Sequence, residues 1–360
     1  MAILALILAH LILPLSGMPP TEYSAVPVLF TLRDLPNLCV VTLVACSGFS
    51  LYLSTADSEL SGSSVLAFYS KRVRRLLLPW AHYAVISTVL YGIAALFFPG
   101  FSKWLPEAYP FLAVANHGGI PFAWILLKWI VILLLLLTLL FPFLRHAYRN
   151  QPWMIAFLVV TFLASSVLNI IYPVDLSRYA EAAFATVPVL LMGLSFILGW
   201  SLVLIFGFSL QKLYTDGRFM KKDMKVTFIA VLMFLAVHVT YRALGLPILI
   251  EANKFPPSPY YLTLGMAVTL VLLSFFLSFQ SFFLERFPRR TLEFFSANSY
   301  WIYLWSLVLL FMSNYIFSGF HLPPPVKLVM EFLFNCVALS LIVILQKRVR
   351  IRIYWENQRI

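Results

Sequence analysis

Four cations stand directly before a long apolar run in the stretch Ser70-Lys71-Arg72-Val73-Arg74-Arg75-Leu76-Leu77-Leu78-Pro79-Trp80. Arg72 and Arg75 are three residues apart, so on a helix they share one face and can grip one anion together. A second interpretation is a topology anchor, because lysine and arginine collect on the cytoplasmic side of membrane helices. The stretch therefore predicts a membrane helix from about residue 75, preceded by an anion clamp or an anchor.

Apolar residues dominate the rest of the chain as well. Of its 360 residues 62% are hydrophobic and 11% are charged, and the mean hydropathy is +0.91. Soluble domains are much more polar. Runs of about 18 or more apolar residues recur along the whole length, which is the length that a membrane helix needs. The composition predicts an all-α polytopic membrane protein.

Ten transmembrane helices are predicted in one bundle. No loop is long enough for a separate domain, so residues 1–346 form the predicted transmembrane domain and residues 347–360 a basic cytoplasmic tail. The predicted spans are 2–17, 37–54, 75–98, 122–144, 153–172, 187–210, 226–244, 260–284, 300–318 and 326–346.

The basic residues predict the orientation of these spans. Nineteen of the 26 lysines and arginines fall on one side of the spans, in the segments 71–75, 145–149, 212–225, 286–290 and 347–359. This bias predicts that both termini are cytoplasmic. Topology also accounts for the net charge of +12, so no nucleic-acid partner is predicted.

His10 is the leading candidate for chemistry. It lies near the middle of the first predicted span, and ionisable residues inside a membrane are functional candidates by default. A neutral imidazole can take a proton from a hydroxyl, which makes His10 a candidate general base. A histidine satisfied by a neighbouring helix is an equally good interpretation.

Two further pairs stand at the predicted outer side. Trp124 and Lys128 are four residues apart and are candidates for substrate contacts, although tryptophan is also expected in the aromatic belt of a membrane protein. His238 and Arg242 are also four apart, on one helix face. They suggest an acceptor pocket, while a snorkelling Arg242 is the stronger alternative.

Small residues mark the second predicted span at Cys46-Ser47-Gly48-Phe49. Close packing of helices explains small residues in a membrane span. The three cysteines lack metal-ligand spacing, so no metal site is predicted.

Four segments together resemble the integral-membrane acyltransferase family 3, whose members move acyl groups from coenzyme A thioesters to sugars and other acceptors. His10 stands where that family has its first-helix histidine, and Ser47-Gly48-Phe49 resembles its Ser-Gly-Phe segment. The stretch 68–79 matches the pattern of Phe, Arg-x-x-Arg and Pro. The stretch 296–305 resembles the late Ser-Tyr-x-Ile-Tyr-Leu segment.

The resemblance implies a donor site for acyl coenzyme A, with acetyl coenzyme A as the expected co-substrate and no permanently bound cofactor. Arg72 and Arg75 would hold the donor phosphates, with Lys71 and Arg74 adding positive field. An irregular backbone at Ser47 and Gly48 would make room for the pantetheine arm.

The resemblance also implies the rest of the reaction. His10 would deprotonate the hydroxyl of an envelope or exported carbohydrate, and Tyr303 and Ser306 would hydrogen-bond the acyl carbonyl. The expected location is the bacterial inner membrane, with membrane lipids, acyl coenzyme A and the carbohydrate acceptor as partners. The oligomeric state is left open.

Two alternatives remain at this point. A polytopic transporter or flippase for a lipid-linked or small polar substrate fits the composition, although no internal repeat is found. A family member that only binds or assembles is the other. It is suggested by the absence of an Asp-x-x-Arg stretch before His10, and by Ser306, where many members have histidine.

Overall fold

Nine helices form the described part of the computed structural model. It describes residues 38–55, 63–97, 122–171, 186–216, 219–248, 250, 253, 257–279, 282, 285, 293–294, 298–320 and 323–354. The helices are α1 (Cys39–Leu53), α2 (Ser63–Phe97), α3 (Phe122–Arg149), α4 (Gln151–Ile171), α5 (Thr186–Thr215), α6 (Phe219–Ala243), α7 (Pro259–Ser278), α8 (Ser299–Ser318) and α9 (Pro324–Tyr354). The all-α fold class is confirmed for these residues.

Each predicted span from residue 37 onwards overlaps one of these helices, while the first, at 2–17, lies outside the described residues. By length and hydropathy, three described segments are long and apolar enough to cross a membrane: Leu194–Thr215, Lys225–Ala243 and Pro259–Ser278. Shorter apolar helices include Val40–Leu53, Pro152–Ala164 and Val329–Leu345. The predicted total of ten spans and the orientation of the termini stay predictions.

The chain divides into two compact units. The first, called here the α1–α7 unit, comprises Asn37–Leu78 and Lys128–Phe283. The second, called the α8–α9 unit, comprises Met1–Pro36, Pro79–Leu127 and Leu284–Ile360. The division falls within α2 and within α3, so each of these two helices contributes residues to both units.

Helix α5 lies at the centre of the α1–α7 unit, where it packs against α1 and α4, and α7 contacts α1 and α6. Large side chains of α5, including Trp200 and Phe208, are completely buried. By contrast, α6 exposes apolar side chains such as Phe228 and Val239, at 63% and 64% of their surface. An apolar surface of this kind suits contact with lipid.

Local sequence explains how α6 ends and how α7 begins. Gly245, at φ +66°, takes the left-handed conformation, and the N–H groups of Gly245 and Leu246 bond back to Arg242 and Tyr241. Such a Schellman motif satisfies the last carbonyls of a helix. Helix α7 then begins where the Ser258 side chain accepts the Tyr261 N–H at 3.2 Å, with proline at the first helical position.

The basic stretch at residues 70–80 lies inside a helix and not in front of one. Helix α2 begins at Ser63, twelve residues before the predicted span, and it continues through Pro79. Lysine, arginine and leucine are good helix formers, so a helix can extend past the apolar run. Because proline has no N–H, the carbonyl of Arg75 lacks its usual partner four residues on.

In the α8–α9 unit, the two named helices pack on each other through buried side chains. Asn335 donates to the Ser313 hydroxyl at 2.9 Å and to the Glu331 carbonyl at 2.7 Å. Tyr83, from the second half of α2, packs edge-on against Trp305 with ring centroids 5.3 Å apart. Hydrogen bonds between helices are a common way to fix packing in an apolar environment.

Candidate functional site

The four cations of α2 form a positively charged surface. Lys71, Arg74 and Arg75 are exposed, and Arg72 is half-buried. In the part of the chain that the structure describes, no carboxylate forms an ion pair with any of the four. Their charge is therefore available to an anionic ligand.

Arg72 is the cation that the fold holds in place. Its Nη2 donates to Ser54 Oγ at 3.2 Å, and its guanidinium carbon lies 5.8 Å from the centre of the Phe68 ring. Burial, and then the neighbouring charge of Arg75, lower the pKa of Arg72 from its usual value. The usual pKa of arginine lies far above neutral pH, so Arg72 remains charged. The helix puts Arg72 and Arg75 close enough to interact, as their spacing predicted.

Two aromatic side chains attach the start of α2 to α3. Phe68 stacks on Phe141, with ring centroids 5.2 Å apart, and the Tyr69 hydroxyl donates to the Leu139 carbonyl at 2.9 Å. Phe141 is itself completely buried against Phe208 of α5. The turn that precedes the cations is thus anchored to the core of the α1–α7 unit.

Arg145 is a residue that the sequence pointed to only as a topology signal. Its side chain is 3% exposed, and its Nη2 donates to the carbonyl of Thr55 at the end of α1. Burial, and then the charge of Arg149, lower the pKa of Arg145. A cation at a helix C-terminus is stabilised by the helix dipole. We call Ser54, Thr55, Arg72 and Arg145 the arginine corner.

The end of α1 supplies the acceptors of the arginine corner. The hydroxyls of Ser54 and Thr55 donate to the Leu51 carbonyl at 3.0 and 2.9 Å, and the Thr55 N–H donates to the Tyr52 carbonyl at 3.2 Å. These bonds satisfy carbonyls that a helix end otherwise leaves open. They fix the oxygen atoms to which Arg72 and Arg145 donate.

The prediction of an irregular backbone at Ser47 and Gly48 is wrong, because α1 runs through both residues without a break. Ser47 donates to the Leu43 carbonyl of its own helix at 3.0 Å. A Cβ at Gly48 would collide with the Leu204 carbonyl oxygen, so α5 fills the space beside this glycine. The structure thus shows the close helix packing that the sequence left as an alternative. The donor-binding role of the pair stays a prediction.

Gly207 is the partner of Gly48 on α5, and sequence reasoning did not single it out. A Cβ there would collide with the Ala45 carbonyl oxygen and would lie 2.8 Å from the Phe49 backbone nitrogen. The backbones of α1 and α5 therefore touch directly where they cross. A glycine in an apolar span was the available signal, but its partner helix is not written in the sequence.

Tyr303 and Ser306 lie in α8, on the other unit. Both side chains are buried, at 7% and 2% exposure. The Ser306 hydroxyl donates to the Tyr303 carbonyl at 2.8 Å, so its hydrogen serves its own helix. Their predicted contact with an acyl carbonyl stays a prediction.

His238 and Arg242 lie near the end of α6. His238 is half-buried between the rings of Phe234 and Tyr260, each with its centroid 5.8 Å away, while Arg242 is exposed. Within the described residues the buried Nδ1 of His238 has no hydrogen-bond partner. The tyrosine-rich surroundings fit packing as well as acceptor binding, and the acceptor role stays a prediction.

The remaining candidates are only partly placed. Trp124 and Lys128 lie in the first two turns of α3, and their side chains are outside the described part. His10 lies outside the described residues, and so does any path from it to the cations of α2. The predicted general base is therefore untested.

Long apolar helices, several with exposed apolar faces, define a membrane protein. A family model described as an acyltransferase domain, that of acyltransferase family 3, matches residues 1–345. The chain belongs to this family and is an enzyme that transfers acyl groups. Comparison with curated proteins and with solved structures gave no significant match.

Proposed function

We propose that this membrane enzyme is an O-acyltransferase that takes an acetyl group from cytoplasmic acetyl coenzyme A. The acceptor is a hydroxyl of an envelope or exported carbohydrate. In the proposed arrangement ten helices cross the bacterial inner membrane, and both termini face the cytoplasm. Family membership favours this enzyme over the transporter or flippase that composition alone allowed.

The observation that carries the donor assignment is the charged surface of α2. Coenzyme A bears a diphosphate and a 3′-phosphate, and arginine binds phosphate oxygens through paired N–H donors. Arg72 uses one nitrogen on Ser54 and keeps its other donors for a ligand. Arg75 lies one turn away and is exposed, and Lys71, four residues before Arg75, and Arg74 add further positive charge.

The proposed chemistry is a direct transfer. The acceptor hydroxyl oxygen attacks the thioester carbonyl carbon, the carbon–sulfur bond breaks, and the coenzyme A thiolate leaves. His10 takes the hydroxyl proton and returns it to the thiolate, so the enzyme is regenerated. Tyr303 and Ser306 on α8 are proposed to donate hydrogen bonds to the acyl carbonyl, which requires the Ser306 hydroxyl to turn away from the Tyr303 carbonyl. Trp124, Lys128, His238 and Arg242 are proposed to contact the acceptor.

The test is acetyl transfer in membranes that contain the full chain. Radiolabelled acetyl coenzyme A is supplied, and label in the carbohydrate fraction is counted for the wild type, Arg75→Ala, His10→Ala and Lys212→Ala. Lys212 is an exposed cation at the end of α5, which makes it a matched control for lost charge.

We expect label with the wild type and Lys212→Ala. Arg75→Ala should require a much higher donor concentration, and His10→Ala should give almost no label at any concentration. Equal labelling by all four proteins, or none by the wild type, overturns the proposed function.

A further inference from the structure

Arg145 is a buried cation that lies away from the charged surface of α2. Its guanidinium is almost fully buried and donates to the carbonyl of Thr55. A buried cation is costly unless it is compensated. The carbonyl at the C-terminal end of α1 gives that compensation.

Thr55 and Ser54 are adjacent, so each arginine of the corner holds one of two neighbouring residues. Arg72 donates to the Ser54 hydroxyl oxygen, and Arg145 donates to the Thr55 carbonyl. The turn that carries both acceptors is closed by its own bonds to Leu51. If Thr55 moves, Ser54 therefore moves with it.

The same helix that carries Arg145 also holds the start of α2. Phe141 is one turn before Arg145, and it stacks on Phe68, over whose ring Arg72 lies. Residues four apart share one face of a helix. One face of α3 thus contacts both the end of α1 and the turn of α2 that orients Arg72.

We propose that Arg145 is a positioning residue for donor binding, which acts through Thr55 and Ser54 to hold Arg72 in the orientation that meets the donor phosphates. This rests on the proposed function, in which α2 binds coenzyme A. Arg145 itself does not touch the donor. Removal of the Arg145 side chain leaves the charge of α2 unchanged. Thr55 then loses its bond to Arg145, and the adjacent Ser54 hydroxyl, which accepts from Arg72, is held less firmly.

The experiment measures binding of coenzyme A to the full-length protein in detergent. Dissociation constants are compared for the wild type, Arg145→Met, Arg145→Lys and Arg149→Met. Arg149 is exposed one turn further along α3 and serves as the control. We expect Arg145→Met to weaken binding about tenfold, the effect of one lost hydrogen bond to a charged group. Arg145→Lys should recover part of this loss, and Arg149→Met should bind like the wild type.

A double-mutant cycle separates positioning from general destabilisation. Ser54→Ala removes the oxygen that accepts from Arg72 but keeps the bond between Arg145 and Thr55. Because Ser54 lies at the surface, this variant should fold even if Arg145→Met does not. If Arg145 acts through Ser54, the Arg145→Lys and Ser54→Ala double variant binds no more weakly than the worse single variant. Additive losses overturn the proposal.

The outcomes also distinguish this inference from the proposed function. Wild-type binding that is lost in Arg75→Ala but unchanged in Arg145→Met and Ser54→Ala overturns only the positioning role. A wild-type protein that does not bind coenzyme A overturns both.

Discussion

In the arginine corner, Arg72 bonds from one helix to another and retains unused donors, whereas in the α8–α9 unit Asn335 uses its amide within the helix pair. Arg72 spends one nitrogen on Ser54 and stays half-exposed. The Asn335 side-chain amide donates to Ser313 and to the Glu331 carbonyl, and Asn335 is 1% exposed. The first arrangement can still bind a ligand, and the second mainly fixes packing. Partial exposure together with unused donors distinguishes Arg72, a candidate ligand contact, from a structural polar residue such as Asn335.

The largest effect is expected where α1, whose end carries the acceptors of the arginine corner, crosses α5. Gly207→Leu should abolish the folded protein, because its side chain would have to occupy the position of the Ala45 carbonyl. The measurement is the size-exclusion profile of a fluorescent fusion in detergent. Gly319→Leu, at the end of α8, is the control, because a Cβ there meets nothing within 4 Å. A monodisperse Gly207→Leu protein would contradict the close crossing of α1 and α5.

A smaller loss is expected from Arg72→Lys. Lysine keeps the charge, but a single ammonium cannot donate to the Ser54 hydroxyl and also bind a phosphate through two paired N–H groups. Coenzyme A binding should weaken by about tenfold, the loss of one charged hydrogen bond. The dissociation constant is measured alongside Lys212→Arg, which should match the wild type. Unchanged binding in Arg72→Lys would show that charge alone suffices in the corner.

Asn335→Leu tests the contrasting α8–α9 pair. Its bond to Ser313 is lost, and stability should fall by about 1 kcal/mol, because hydrogen bonds between membrane helices contribute about 0.6 to 2 kcal/mol. Thermal unfolding in detergent measures this loss, with Val337→Leu on the exposed side of α9 as the control. Coenzyme A binding should not change, and a large loss of binding would show that the pair takes part in the donor site.

The smallest effect is expected from Thr42→Val in the α1–α7 unit. Thr42 and Thr269 share a buried hydrogen bond of 2.9 Å between α1 and α7, and each hydroxyl is one of several contacts there. Loss of one such bond costs about 0.6 kcal/mol. Thermal unfolding of Thr42→Val and Thr42→Ser should show a small decrease for valine and none for serine. A larger loss in valine than in Asn335→Leu would reverse the expected order of the two units.

The helices were readable in the sequence because their apolar runs are long. Each run from residue 37 onwards became a helix, and the spacing of Arg72 and Arg75 predicted their shared face. The early start of α2 at Ser63 was missed, because hydropathy reports where apolar residues begin and not where a helix begins. Among the described residues, three segments reach clear span length and hydropathy, so the predicted total of ten spans stays a prediction.

Partners between helices were not readable. Lipid and helix interior are equally apolar, so no pattern in the chain pairs Gly48 with Gly207 or Arg145 with Thr55. In the count of lysines and arginines on each side of the spans, Arg145 could not be distinguished from the other basic residues. Its burial depends on the end of α1, which comes about ninety residues earlier in the chain.

The crossing of Gly48 and Gly207 also imposes an order of events during synthesis. Helices α2, α3 and α4 are all made between the two glycines, so α1 waits on the order of ten seconds for its partner at ordinary elongation rates. Until then the backbone of α1 at Gly48 lacks its contact with α5, and the Thr42 hydroxyl lacks its hydrogen bond to Thr269 of α7. The end of α1, on which the arginines depend, therefore reaches its final support only late in the biogenesis of the enzyme.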